Sequence, residues 1–537
     1  MWIRFCLIEF IFFFRFFIVE LMDSGKMPAK SEISEFYKGQ SIFITGGSGF
    51  MGKVLVEKLL YSCSDVKEIF ILMRPKRGRV PESRLEDMFK LPMFQRIREE
   101  KPEVLKKLVP VQGDVTFDGL GLSGETLDRV LKSTSIVFHM AATLRLEAKL
   151  KDAIDMNTTG TRRVLDVCRK MPNLKVLIHL STAFCYCDKE VLHEKVYECP
   201  HNPHDLIRCA EWMDEKTLDN ITANLIAPHP NTYTYSKRLA EILVRNEYPN
   251  LPVVIARPSI VIPANEEPLP GWVDSLNGPI GLMVGGAKGV IRSMLCNGEY
   301  RAEVIPVDIA INGLITIAHT HSINPSKSKD VPVYNITCSE EKKLTWGEVL
   351  KQGKELGFKY PFEAGIWYPG GEITTNKIVH TLTVIFCHWL PAYFIDFLMF
   401  LLGQKRFMVR IQTRISDGLE VLQFFTTRQW DFRSENFKGL FGKLNSVDEK
   451  IFTMDTVSID NVEYLKKVIL GGRQYCLKEP LTTLPKARMQ LKVLYVLDVT
   501  AKFVLGGLLI WYLLSVFNLK EPLFSLFERK EISILAD

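Results

Sequence analysis

The stretch "SIFITGGSGFMGKVLVEKLL", residues 41–60, constrains the fold more tightly than any other part of the chain. A short apolar run gives way to glycines, and apolar residues then recur at helical spacing at Val54, Leu55 and Leu59. That order reads as strand, loop, helix. The glycines fall at Gly46, Gly49 and Gly52, as G-x-x-G-x-x-G. Without side chains in the turn, the backbone is open to a pyrophosphate, and the helix N-terminus supplies amide donors and a positive dipole. A lone glycine pattern means little; a strand before it and a helix after it give it weight. The unit predicts a dinucleotide site, with Thr45, Gly46, Gly49, Phe50, Met51 and Gly52 as cofactor-binding candidates.

A second strand, "EIFILMR", ends at Arg74, twenty-two residues after Gly52. NAD-selective sites carry an acidic residue about 20 residues on, which holds the ribose 2′-hydroxyl. A guanidinium at that place suits a 2′-phosphate instead, so Arg74 points to NADPH. Lys76, Arg77 and Arg79 follow, and for Arg79 a solvated basic loop is an adequate reading. Continuous apolar runs recur at "KLVPVQGDV", "SIVFHMAA", "KVLIHLSTA" and "PVVIARPSIV", separated by helical stretches. Strands buried on both faces read this way, which predicts an α/β fold built on a doubly wound, mostly parallel Rossmann-type sheet. Ligands bind at the carboxyl ends of such strands, where Asp114, Ala141, Ala142 and Thr182 fall, and Asp114, Val115 and Ala142 are further cofactor-binding candidates.

Within "NTYTYSKRLAE", residues 231–241, Tyr233 and Lys237 are four apart and share a helix face, whereas Tyr235 looks elsewhere. An ammonium beside a phenol lowers its pKa, as a general acid at neutral pH requires. Taken alone, Y-x-x-x-K also arises by chance on a helix surface.

Composition limits the partners. A net charge of +6 over 537 residues gives no case for nucleic-acid binding. Eleven cysteines, an odd number without repeated spacing, indicate a reducing compartment and no disulfide framework. The cluster Cys185, Cys187, His193, Cys199, His201, His204 and Cys209 lacks paired C-x-x-C or H-x-x-x-H elements, so no metal site is expected. Three apolar stretches bear on membranes. "FVLGGLLIWYLLSVF", 503–517, is free of charge, and extending it back to Val493 reaches spanning length while taking in Asp498 and Lys502. Lys486, Arg488, Lys492 and Lys502 place its N-terminal side in the cytosol. The stretch 378–403 is interrupted by Pro391 and Asp396, which predicts two packed or membrane-dipping helices. The first stretch carries Arg4, Glu9, Arg15 and Glu20 and no clear cleavage site, so it is read as an N-terminal extension rather than a signal peptide.

The motifs "TGGSGFMG", "GDV", "HMAA", "NTTGT", "HLSTA" and Y-x-x-x-K together resemble the extended short-chain dehydrogenase/reductase superfamily. "ITGGSGFMGKVLVEKLL", "FILMRPKRG", "TYTYSKRLAE", "ARPSIV", "HWLPAYFIDF" and "SIDNVEYLKKVILGGRQYCLKE" resemble, more narrowly, the alcohol-forming fatty acyl-CoA reductases, from about Glu35 to Asp498. The resemblance implies NADPH-dependent reduction of a long-chain fatty acyl-CoA to a primary alcohol through an aldehyde. It implies a catalytic set of Tyr233, Lys237 and Thr182, with Ser181 as the fallback hydroxyl, and it matches Asn157 to an asparagine that supports the lysine. It divides the chain into an extension (1–34), an NADP-binding reductase domain (35–330), a smaller mainly helical domain (345–480) that shapes the acyl site, and a membrane segment (493–517). The aromatics Trp389, Tyr393 and Phe397 read as packing at helical spacing. Expected partners are the acyl-CoA substrate and the lipid bilayer, with the catalytic domain facing the cytosol at the endoplasmic reticulum or the peroxisome. Another membrane-bound dehydrogenase of the superfamily, a reductase stopping at aldehyde, and a silent NADP-binding scaffold are the alternatives.

Overall fold

The structure, a computed structural model, describes residues 30–516 apart from 77, 327, 339–341 and 343. Most of the N-terminal extension, Arg77 and position 517 lie outside the described residues. Seven strands, β1 (Ser41–Thr45), β2 (Glu68–Met73), β3 (Leu108–Gln112), β4 (Ile136–His139), β5 (Val176–Leu180), β6 (Val253–Pro258) and β7 (Val333–Ile336), form the central sheet. Their order is β7–β6–β5–β4–β1–β2–β3, and every neighbouring pair is parallel. β1 and β2 are buried along their whole length, which is why neither alternates in sequence. β7 was not among the expected strands. It is short and carries Asn335, whose buried amide donates to the carbonyls of Leu192 (3.1 Å) and Arg433 (2.7 Å), contacts no local pattern announces.

Helices cover both faces of the sheet. On one face, α1 (Phe50–Ser62) packs against α4 (Val307–Ile323), which also lies on β5. On the other, α2 (Gly160–Cys168) and α3 (Thr232–Glu247) enclose a core that includes Phe43, Phe70, Val137, Leu177, Leu239 and Ile255. Strand order reverses between β1 and β4, the place where such sheets open a crevice for a ligand.

The chain divides into two compact units. The first holds the described residues up to Asp274, with Glu299–Thr345 and Glu420–Val468; the second holds Ser275–Gly298, Trp346–Leu419 and the described residues from Ile469. These boundaries differ from the sequence division at 330, 345 and 480. Asp431–Phe432 pairs in parallel with Val191–Leu192, and Trp430 and Phe432 pack on Phe184, so this late segment joins the sheet's unit. Ser293–Leu295 pairs with Glu372–Thr374, which draws an earlier segment into the second unit. Periodicity locates elements, but pairing partners far apart in sequence decide which body they join.

Two corrections concern the second unit. The stretch read as two helices is one helix, α5 (Lys377–Leu401), with a π-helical turn at Ile385–Trp389. Pro391 removes a helix hydrogen bond, and a π turn just before it accommodates the lost donor without breaking the helix. Tyr393 and Phe397, expected to pack, are 59% and 56% exposed. Asp396 is buried and accepts the amides of Phe407 (2.9 Å), Met408 (2.8 Å) and Val409 (3.0 Å) at the start of α6 (Met408–Thr426), so its charge caps a helix. In α7 (Leu484–Val516), Asp498 is likewise buried, held by the Trp367 indole at 2.6 Å and by Lys502 at 2.6 Å. By length and composition alone, Lys377–Leu401 and Leu481–Val516 could each cross a membrane.

Candidate functional site

The glycine turn is built by exclusion of side chains. Gly46 has a φ of 76°, and a Cβ there would stand 2.7 Å from the Met140 carbonyl carbon and 2.8 Å from the Ala141 nitrogen. A Cβ on Gly52 would meet the Gly46 oxygen at 2.3 Å, so α1 seats directly on the turn. Gly49 is the N-cap of α1 and brings no side-chain cap, which leaves the first-turn amides to whatever binds there. Phe50 and Met51 are half-buried in that first turn. Thr45 works from beneath: its hydroxyl lies 2.7 Å from His139 Nδ1 and accepts the Ala141 amide at 3.2 Å. This ties the end of β1 to the segment after β4 that carries the half-buried Ala142.

At the end of β2, Arg74 is 60% exposed, with its guanidinium 3.7 Å from Asp114, which follows β3. A second cation, Arg84, donates to the Arg74 carbonyl at 2.5 Å and to the Ser48 hydroxyl of the glycine turn at 3.3 Å. Desolvation and the neighbouring Arg74 charge lower its pKa. Two guanidiniums beside a glycine turn repel one another unless an anion lies between them. Sequence reasoning missed Arg84 because it sits in a helix ten residues beyond the strand. Arg79, by contrast, pairs with Asp87 at 2.5 Å, as a solvated loop residue does. Val115 buries its side chain in the core against Gly160.

Tyr233 lies in the first turn of α3, whose N-cap Asn231 accepts the Thr234 amide at 2.9 Å. Thr182 follows β5, and its hydroxyl accepts the Phe184 amide at 3.2 Å, leaving its own proton free to donate. Burial raises the Tyr233 phenol well above the usual tyrosine value, the Cys185 thiol raises it further, and hydrogen bonding to Thr182 lowers it. Tyr233 and Thr182 are therefore near neighbours in the site. Ser181 is buried, and its hydroxyl has no hydrogen-bond partner among the described residues. Tyr235 turns away, bonding His201 Nδ1 at 2.8 Å within the core.

Lys237 is buried, and its ammonium donates to the Leu180 carbonyl at 2.5 Å. Burial lowers its pKa to about 8, against the opposing pull of Glu241 and Cys185. The expected lowering of Tyr233 by Lys237 is therefore not what this geometry produces; burial governs the phenol. Asn157 does not touch the lysine either. From a π-helical turn (Ile154–Thr159) it accepts the Thr143 amide at 2.8 Å and donates to Ser236 Oγ at 2.9 Å, which locks the segment after β4 to α3.

Beneath α3 lies a buried ion pair that the sequence did not announce. Arg257 and Glu241 are each fully buried, with N···O distances of 2.6 and 2.8 Å. Glu241 continues the i, i+4 series from Tyr233 and Lys237, the one signal that could have exposed it. Among the described residues no group of three or more His, Cys, Asp or Glu is arranged to hold a metal ion, and all ten cysteines are free thiols.

Comparison with known proteins accords with this architecture. Residues 44–314 match an NAD-binding family model described as Male sterility protein, and residues 387–479 match a second model of the same description. The chain is 36% identical over 462 residues to fatty acyl-CoA reductase 1 of Homo sapiens, covering 86% of this chain and 89% of that one. It is 36% identical over 487 residues to fatty acyl-CoA reductase 2 of Mus musculus, covering 90% and 93%. Among solved structures, the terminal R domain of the myxalamid PKS-NRPS pathway superposes with a TM-score of 0.56 at 17% identity, over 82% of this chain and 91% of that one. The reductase domain of a nonribosomal peptide synthetase from Mycobacterium tuberculosis gives 0.54 at 15% identity, over 84% and 94%. At such identities the structural likeness speaks for the fold.

Proposed function

Because the chain belongs to the fatty acyl-CoA reductase family, we propose that it reduces long-chain fatty acyl-CoA to the primary alcohol at the expense of NADPH. The observation that carries this reading is the Lys237–Leu180 bond, which ties the helix bearing Tyr233 to the strand end bearing Thr182, in the same unit as a glycine turn that excludes side chains. NADPH fits the residues present: Gly49 leaves the first-turn amides of α1 without a side-chain cap, and Arg74 and Arg84 offer two guanidiniums to a 2′-phosphate. When bound, NADPH supplies hydride to the thioester carbonyl carbon, and a second equivalent does the same for the aldehyde.

The chain's own residues handle the oxygen. As negative charge grows on it, Thr182 donates a hydrogen bond and Tyr233 transfers its proton. The raised pKa keeps Tyr233 protonated, as an acid must be at the start of the step. Lys237 holds a positive charge behind the site and orients the end of β5 through Leu180. The hemithioacetal then expels CoA as the thiolate, and the same hydroxyls serve the aldehyde. Asp114 and Ala142 line the cofactor side in this reading, with Val115 contributing backbone only because its side chain is in the core.

The basic residues Lys486, Arg488 and Lys492 before the apolar end of α7 support a catalytic unit facing the cytosol. The test is turnover by membranes containing the full chain, with NADPH and a panel of acyl-CoAs, beside Tyr233→Phe. Fatty alcohol at two NADPH per thioester, lost in the variant, supports the reading. Aldehyde alone revises the product, and cofactor binding without turnover on any chain length refutes it.

A further inference from the structure

Helix α5 wears its residues inside out for a helix of a soluble protein. His380, His388 and Asp396, spaced by eight, all face protein. His380 Nδ1 lies 2.8 Å from Ser293 Oγ, His388 Nε2 accepts the Arg292 amide at 2.7 Å, and Asp396 caps α6. The outer side carries Ile378, Leu382, Phe386, Tyr393, Phe397 and Phe400, with Ile378 72% and Phe400 64% exposed. Leu390, Phe394, Leu398 and Leu401 are exposed beside them, so the apolar surface is broader than a single stripe, and a continuous apolar surface of this size marks a contact surface.

Length and composition would let α5 span a bilayer. The polar contacts argue otherwise. From His380 to Asp396 they extend over about 24 Å of helix at 1.5 Å per residue, and every partner belongs to the second unit. A crossing would drag Arg292, Ser293 and the start of α6 into hydrocarbon, where such groups are costly. Cations sit at both ends of this surface: Lys377 before it, and Lys405, Arg406 and Arg410 after it, all exposed. That is the charge pattern of a helix lying among anionic headgroups with its apolar face sunk below them. Arg292 also reaches Asp498 of α7 at 3.8 Å, so one residue braces both apolar helices.

We propose that Lys377–Leu401 lies in the membrane plane as a monotopic element, its apolar surface among the lipid chains and Lys405, Arg406 and Arg410 on anionic phospholipid, while it does not cross the bilayer. The full chain, in sealed phosphatidylcholine–phosphatidylserine vesicles, tests this in two ways. Thr375→Cys and Gln404→Cys, which flank the helix in exposed turns, are treated with a membrane-impermeant maleimide and read above the labelling of the parent chain. Both are expected to label from the same side without permeabilisation. The unmodified chain is then cross-linked to phospholipid bearing a photoreactive acyl chain, and adducts are expected at Phe386, Tyr393, Phe397 and Phe400 but not at His380, His388 or Asp396. Labelling from opposite sides overturns the proposal in favour of a second span. Adducts confined to 503–516, with α5 unmarked, overturn it in favour of a protein partner or second copy covering this surface.

Discussion

The Lys237 ammonium and the Leu180 carbonyl meet at 2.5 Å, so α3 and the end of β5 are joined two residues before Thr182. The contact fixes the spacing between the strand end that bears one hydroxyl and the helix that bears the other. The lysine is buried there, and that burial lowers its pKa to about 8.

Removing the acid tests the site most directly. Tyr233→Phe should lower kcat/KM by about a hundred- to ten-thousand-fold, the usual share of a positioned general acid. Thr182→Val should cost about a hundred- to a thousand-fold as an oxyanion donor, and Thr182→Ser should recover most of it. NADPH affinity, read by fluorescence titration, should stay near that of the parent in all three.

The pH profile should follow Lys237. Its ammonium is lost as pH rises through about 8, so kcat/KM should fall on the alkaline side there. Tyr233, raised by burial, keeps its proton over the same range. For stability the sign is opposite. A lysine at about 8 when folded and near 10.5 when unfolded binds fewer protons in the native state, so its penalty is full below about 8 and fades as pH rises to about 10.5. Lys237→Arg should shift the alkaline fall upward; an unshifted fall would assign it to another group.

Gly52→Ala pushes a methyl to within 2.3 Å of the Gly46 oxygen, a backbone atom that cannot swing aside. Overpacking of that kind costs about 1–3 kcal/mol. Weakened NADPH binding and a lower Tm are the expected results, measured by titration and thermal denaturation. Gly39→Ala, where nothing stands within 4 Å of the new Cβ, is the control for space, although its φ of 70° adds strain of its own.

Arg74 and Arg84 should set cofactor choice. Replacing either with Gln removes charge-assisted hydrogen bonds worth about 1.5–3 kcal/mol, a rise in the KM for NADPH of roughly ten- to a hundred-fold. The KM for NADH should move little. An equal rise for both cofactors would place these guanidiniums on a group the two share.

Arg257→Met leaves the Glu241 carboxylate buried without its partner, which costs about 3–5 kcal/mol. The double variant Arg257→Met/Glu241→Leu should regain much of that loss, because no unpaired charge remains. Chemical denaturation of the single and double variants reads the difference.

The sequence by itself determined what short-range chemistry can specify. Gly46, Gly49 and Gly52 between a strand and a helix allowed only an open turn, continuous apolar runs allowed only a sheet covered on both faces, and a spacing of four put Tyr233 and Lys237 on one side of α3 while turning Tyr235 into the core. Tertiary structure decided whatever depends on partners distant along the chain. It brought Arg84 to Ser48, paired Glu241 with Arg257, gave residues 431–432 to the sheet's unit, and spent the charges of Asp396 and Asp498 on α6 and Trp367. The physical reason is burial: how much water a site loses is a property of everything packed around it. That loss raised Tyr233, lowered Lys237 and left the apolar surface of α5 facing outward.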